Sequence, residues 1–176
     1  MADVNSRPKI SIPPPASAPK GPANPLFLRE EELRQAIEML FFGYRDFTSE
    51  PDRILAERDM GRAHHRAIYF IGRYPGITVS DLLAILKITK QSLSRVLSQL
   101  LEQGYVAQKP GETDRRQRLL TLTPSGEALE AALTETQRAR IARAFKAAGA
   151  EAVEGFRAVM LGIMNDDVDR ARFRRD

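Results

Sequence analysis

Four residues, Leu86-Lys87-Ile88-Thr89, constrain the fold of this 176-residue chain more than any others. Helical apolar spacing runs into them from one side and out of them on the other, so they join two helices with no room for a loop. Upstream, Val79, Leu82, Leu83 and Leu86 recur at helical spacing, with the small Ala84 between them. Thr78 and Asp81 fit a capping box in its weaker form, with Asp where Glu or Gln is usual. Downstream, Leu93, Val96, Leu97, Leu100 and Leu101 trace the single buried stripe of a second helix. Thr89 is its N-cap and Gly104 its left-handed terminator. Helices that meet across so short a link cross steeply, as in a helix-turn-helix, and Ile88 fills the corner.

The face opposite that stripe carries Lys90, Gln91, Ser94, Arg95, Ser98 and Gln99, and its one acid, Glu102, comes last. A helix that enters a major groove needs short hydroxyls near the backbone, amide and guanidinium groups for base edges, and no carboxylate facing phosphate. An ordinary amphipathic surface helix shows much the same stripe, so the neighbours decide between the two. Residues 105–109 are β-prone, Pro110-Gly111-Glu112-Thr113-Asp114 is a turn cluster, and residues 118–123 form a second strand with Leu120 and Leu122 on one face. The tip between them carries Arg115, Arg116 and Arg118, which are costly to bury and suited to phosphates or a narrow, negative minor groove. A solvated basic loop alone would look similar. A helix-turn-helix followed directly by a basic hairpin, however, is the order of a winged helix-turn-helix. From Lys87 to Arg118 there are seven basic residues and three acids, an excess equal to the +4 net charge of the whole chain.

The run Asp114-Arg115-Arg116-Gln117-Arg118-Leu119-Leu120-Thr121-Leu122-Thr123-Pro124-Ser125-Gly126 resembles the wing signature of the MarR family of bacterial transcription regulators. Ser92-Leu93-Ser94-Arg95 and Leu101-Glu102-Gln103-Gly104-Tyr105-Val106 strengthen the match, which covers roughly residues 26–170. Within the family, residues 53–57, 61–66 and 88–96 are most similar to the alphaproteobacterial PetP-like regulators. The resemblance implies that Thr89, Lys90, Gln91, Ser92, Ser94 and Arg95 read the major groove of double-stranded DNA. It also implies that Arg116 reaches the minor groove, with Asp114 orienting it and Arg115 and Arg118 beside it. Effectors of such families lodge between the dimerisation helices and the first helix of the winged module, which makes Tyr44, His64, His65 and Tyr69 candidates for a small-molecule pocket.

The rest of the chain frames this module. Residues 1–23 hold six of the eleven prolines among Ser, Ala and Gly, so a disordered Pro-rich tail is expected there. Asn24-Pro25 reads as a helix start, followed by the apolar stripe Leu26, Leu33, Ile37, Leu40, Phe41 and Tyr44 to about Phe47. Residues 48–59, with Pro51, read as a polar connection. Residues 61–73 form the module's first helix, stopped by Tyr74-Pro75-Gly76. Beyond Thr123-Pro124 a helix runs to about Ala148, and a last one from Ala150 to about Asp169 carries Val153, Phe156, Val159, Met160, Ile163 and Met164. The expected fold is mostly α with a small β-wing. Residues 24–58 supply an N-terminal dimerisation helix and connection, residues 59–123 the winged helix-turn-helix, and residues 124–176 the C-terminal dimerisation helices of a C2 homodimer.

The composition excludes other chemistry. There is no Cys, hence no disulfide, thiol nucleophile or zinc finger. His64 and His65 are adjacent and point about 100° apart on a helix, so they cannot chelate as an i, i+4 pair; one packed and one exposed ring is the plain expectation. No Gly-rich phosphate loop or nucleophile–base set is visible, so no enzyme, cofactor or metal is expected. With no apolar run of membrane length and no signal-peptide core, the expected location is cytoplasmic, away from membranes. A winged-helix module that binds protein partners instead of DNA is the alternative reading.

Overall fold

The computed structural model describes residues 28–112 and 114–173. The expected tail over residues 1–23, the Asn24-Pro25 helix start and the terminal Arg174 and Arg175 lie outside the described residues. The elements in chain order are α1 (Glu30–Ala56), α2 (Arg62–Arg73), β1 (Ile77–Thr78), α3 (Val79–Leu86), α4 (Lys90–Glu102), β2 (Val106–Pro110), β3 (Arg118–Leu122), α5 (Pro124–Ala148), α6 (Ala150–Ile163) and α7 (Asp167–Ala171). The fold is mostly helical with a small antiparallel sheet, as the apolar periodicity predicts.

Two compact units divide the described chain, α1 up to Tyr44 and everything from Arg45 onward. In the first, Leu33, Ile37, Leu40, Phe41 and Tyr44 lie exposed along the helix, and Glu30, Glu31 and Glu32 meet its positive end. In the second, α2 is the central element and packs on α3, α4 and α5. Its Ala67, Ile68 and Ile71 join Leu55, Leu82, Leu86, Leu93, Val96, Leu97, Leu100, Leu120, Leu129 and Leu133 in one core. Each fully buried Leu or Ile side chain contributes about 1.5–3 kcal/mol relative to exposure.

Three boundaries depart from the sequence reading. The helix expected to end near Phe47 continues to Ala56 through Pro51, which is itself fully buried. A proline inside a helix leaves the carbonyl four residues earlier without its donor. Here that carbonyl belongs to Phe47, and the Gln137 side-chain amide of α5 donates to it at 3.3 Å. A short strand, β1, precedes α3; Ile77 pairs with Leu120 and Thr78 with Leu119, making the hairpin the larger part of a three-stranded sheet ordered β1-β3-β2. The last helix does not reach Asp169. It stops at Ile163, where Met164 turns to extended backbone, and α7 restarts under a new N-cap, Asp166, whose Oδ1 accepts from the Val168 N–H at 2.8 Å.

Candidate nucleic-acid interface

The helix-turn-helix is built at its two caps. Thr78 Oγ1 accepts from the Asp81 N–H at 3.0 Å and donates to the Asp81 carboxylate at 2.7 Å, which starts α3. α3 ends at Lys87, a non-glycine residue in the left-handed region with φ 49°. Ile88 is half-buried against the core, as the corner requires. Thr89 Oγ1 then accepts from the Ser92 N–H at 3.1 Å and donates to Ser92 Oγ at 2.8 Å. Both hydroxyls therefore help to start α4. At the other end Gly104 takes φ 73°, and Tyr105 N–H returns to the Leu100 carbonyl at 2.9 Å.

With Leu93, Val96, Leu97 and Leu100 buried, α4 turns Lys90, Gln91, Ser94, Arg95 and Ser98 to the exterior. Among the described residues Arg95 makes no ion pair. Gln99 behaves differently from the rest of its polar face. Its amide donates to the Asp59 carbonyl at 3.0 Å, and its Oε1 lies 2.9 Å from His64 Nε2. His64 Nδ1 in turn accepts from the Gly61 N–H at 3.1 Å, which assigns the ring hydrogen to Nε2 and makes His64 the donor to Gln99. The α1–α2 connection is thus tied to α4. No periodicity reveals this, because the partners lie 35 and 40 positions apart.

The wing is a regular ladder from Val106 opposite Leu122 to Pro110 opposite Arg118. Its tip folds on itself. Gly111 N–H donates to the Gln117 carbonyl at 3.1 Å, and Gln117 N–H donates to the Asp114 carbonyl at 3.0 Å. A β-carbon on Gly111 would lie 2.7 Å from that same Asp114 oxygen, so only glycine lets the strands close here. Asp114 Oδ1 accepts from the Arg116 backbone N–H at 2.9 Å, fixing the main chain that carries Arg116. Arg118 Nη1 donates to the Arg115 carbonyl at 3.1 Å and braces the tip. Arg115 and Arg116 stay exposed at its end, without an ion pair among the described residues.

Lys87, counted above among the basic residues of this region, is committed within the chain. Its Nζ lies 2.6 Å from Asp166 Oδ2 and 3.1 Å from Asp169 Oδ2. The hydrogen bond to Asp166, then that to Asp169, holds the ammonium above the usual lysine range.

Of the side chains proposed for an effector pocket, His64, His65 and Tyr69 lie on α2 and Tyr44 on α1. His65 is buried, and burial pushes its pKa below the ordinary histidine value, opposed by the charges of Asp52 and Glu130. His64 is half-buried with both ring nitrogens hydrogen-bonded, so neither ring of the pair is the fully exposed one expected. Tyr69 is exposed and meets Phe70 edge-on, and Tyr44 belongs to the exposed stretch of α1. Nearby, Asp52 Oδ2 takes both Nε and Nη2 of Arg62, at 2.9 and 2.8 Å. Its Oδ1 is buried without a hydrogen-bond partner among the described residues. Among the described residues no helix is long and apolar enough to cross a membrane.

Residues 58–117 match the MarR family model. The chain is 52% identical over 145 residues to the transcriptional regulator PetP of Rhodobacter capsulatus, covering 82% of this chain and 87% of that one. Its fold is similar to that of Streptococcus pneumoniae FabT in complex with DNA, with TM-score 0.66, 19% identity and coverage of 74% of this chain and 94% of that one. It is also similar to a mutant E. coli MarR complexed with operator DNA, with TM-score 0.58, 21% identity and coverage of 80% and 99%.

Proposed function

Because the chain belongs to the MarR family and is a transcriptional regulator of that type, we propose that it works as a cytoplasmic homodimer bound to a pseudo-palindromic operator. Each subunit lays the start of α4 in the major groove, with Lys90, Gln91, Ser94 and Arg95 toward base edges and phosphates. Thr89 and Ser92 hold the helix end in shape rather than reading bases. The wing brings Arg115 and Arg116 to the flanking minor groove, on a main chain that Asp114 and Arg118 keep rigid. The protein acts by occupying DNA and carries out no bond chemistry. The observation that carries this reading is a capped, packed helix whose outward face presents Arg95 and Lys90 without a carboxylate partner among the described residues.

The test is selection of bound sequences from a random duplex pool at two salt concentrations. An enriched pseudo-palindrome, bound more weakly at the higher salt, is the expected result. Salt-sensitive binding with no enriched sequence refutes base readout, and no binding at either salt turns the exposed face toward a protein partner.

A further inference from the structure

We propose that α7 is an autoinhibitory clasp on the helix-turn-helix, in which Asp166 and Asp169 hold Lys87 in place of a DNA phosphate. The inference rests on the DNA-binding reading above. Lys87 occupies the link between α3 and α4, two residues before the cap of the recognition helix. When the start of such a helix enters a groove, the link beside it runs along the phosphate backbone. A lysine there is a natural phosphate contact, yet its ammonium is taken up by two carboxylates from the far end of the chain.

The contact is built. The chain leaves α6 at Met164, and Asp166 starts α7 with one carboxylate oxygen while the other receives Lys87. At the other end of α7, Arg172 lies over the Tyr74 ring, 5.8 Å from its centre, and 3.6 Å from Asp169. The segment is therefore held at both ends against the base of the helix-turn-helix. Lys87 itself adopts a left-handed conformation that glycine takes at no cost, so its side chain, not its backbone, accounts for its use at this corner.

The clasp is also weak enough to open. The side chains of Lys87, Asp166 and Asp169 are 55%, 37% and 32% exposed, so solvent and salt screen their attraction. A closed population of this strength lowers apparent DNA affinity by about two- to five-fold. A duplex that brings several phosphates at once displaces it.

The test is a mutant cycle on the full chain, with affinity measured on operator and random duplex at low and moderate salt. Asp166→Asn/Asp169→Asn keeps a competent cap, because Asn caps helices as well as Asp. It should bind both duplexes about two- to five-fold more tightly, with the gain shrinking as salt rises. In a Lys87→Gln background the same two changes should have no effect, because the residue they release is gone. A gain that persists with Lys87→Gln is general charge relief and overturns the clasp, as does an unchanged or weakened affinity in the double variant. Should that variant melt, Asp169→Asn alone, which leaves the Asp166 cap intact, must show part of the gain or the clasp is refuted. If neither wild type nor variant binds DNA, the functional reading falls and the clasp with it; wild-type binding that the variants leave unaltered removes the clasp alone.

Discussion

Two residues carry the most consequence singly. His65 is a buried base whose folded pKa lies below its ordinary value of 6.5, chiefly through desolvation. A depressed base favours the neutral form in the folded state, so its stabilising effect is complete above pH 6.5. That effect declines as the pH falls from there through the folded value, because only the unfolded chain gains a proton over that window. Urea midpoints of the wild type should therefore drop between pH 7.5 and 5.5, and His65→Gln should flatten the slope. Parallel slopes in the two proteins would remove His65 from the explanation. Arg95 is the residue whose loss should change specificity. Arg95→Ala is expected to cost about 1–3 kcal/mol on the selected site and to relax its sequence preference, whereas Arg116→Ala should weaken binding in a way set by minor-groove width, with the fold intact. Equal losses on operator and random DNA for Arg95→Ala would sink the base-reading role. The types of these side chains, and the exposure of the arginines, are legible in the sequence. Their partners are not. Nothing in the spacing says that Gln99 reaches back to Asp59, that Lys87 is held from position 166, or that a β-carbon on Gly126 would collide with the Tyr105 carbonyl oxygen.

At the scale of elements, sequence order and periodicity give the helix-turn-helix and wing nearly to the residue, because each boundary there has a local chemical cause. Thr78, Thr89 and Thr123 all cap the helices that follow them, with side chains accepting from Asp81, Ser92 and Gly126. Of the three misplaced boundaries, the break between α6 and α7 has a local cause in the Asp166 cap, and the other two have distant ones. β1 is two residues long and exists through pairing with β3, which no local pattern announces. α1 runs past Pro51 because Gln137, on another helix, serves the carbonyl that the proline leaves open. That account is testable. Gln137→Leu keeps the side-chain bulk and removes the donor, and it should lower stability by about 0.5–1.5 kcal/mol, the net worth of one hydrogen bond. Restoring a helix donor with Pro51→Ala should cancel part of that loss, so the two changes should be non-additive in chemical denaturation. Strict additivity would mean that Gln137 does not compensate for Pro51.

For the whole molecule, the faces left uncovered decide the argument. α6 contains no buried residue, although Phe156, Val159 and Ile163 lie along it at 47%, 61% and 51% exposure. α1 up to Tyr44 offers Ile37 at 68% and Phe41 at 64%. Helices of this kind gain most of their stability from burying one face, so each of these faces needs a partner. A second copy, as in the homodimer proposed above, would supply both, and a two-fold dimer would also set two recognition helices about one turn of DNA apart, roughly 34–36 Å. The protein should therefore sediment at twice the 19.7 kDa of the chain. Ile37→Asp and Phe156→Asp should each shift it toward the monomer, because a carboxylate cannot be buried there unpaired. The monomer keeps its recognition helix and wing but loses the linked second half-site. Affinity for the full operator should then fall by about 100-fold or more, while affinity for an isolated half-site changes little. A wild-type monomer that holds the full operator tightly would contradict the dimer, and an aspartate variant that loses the half-site as well would show damage to the winged module itself.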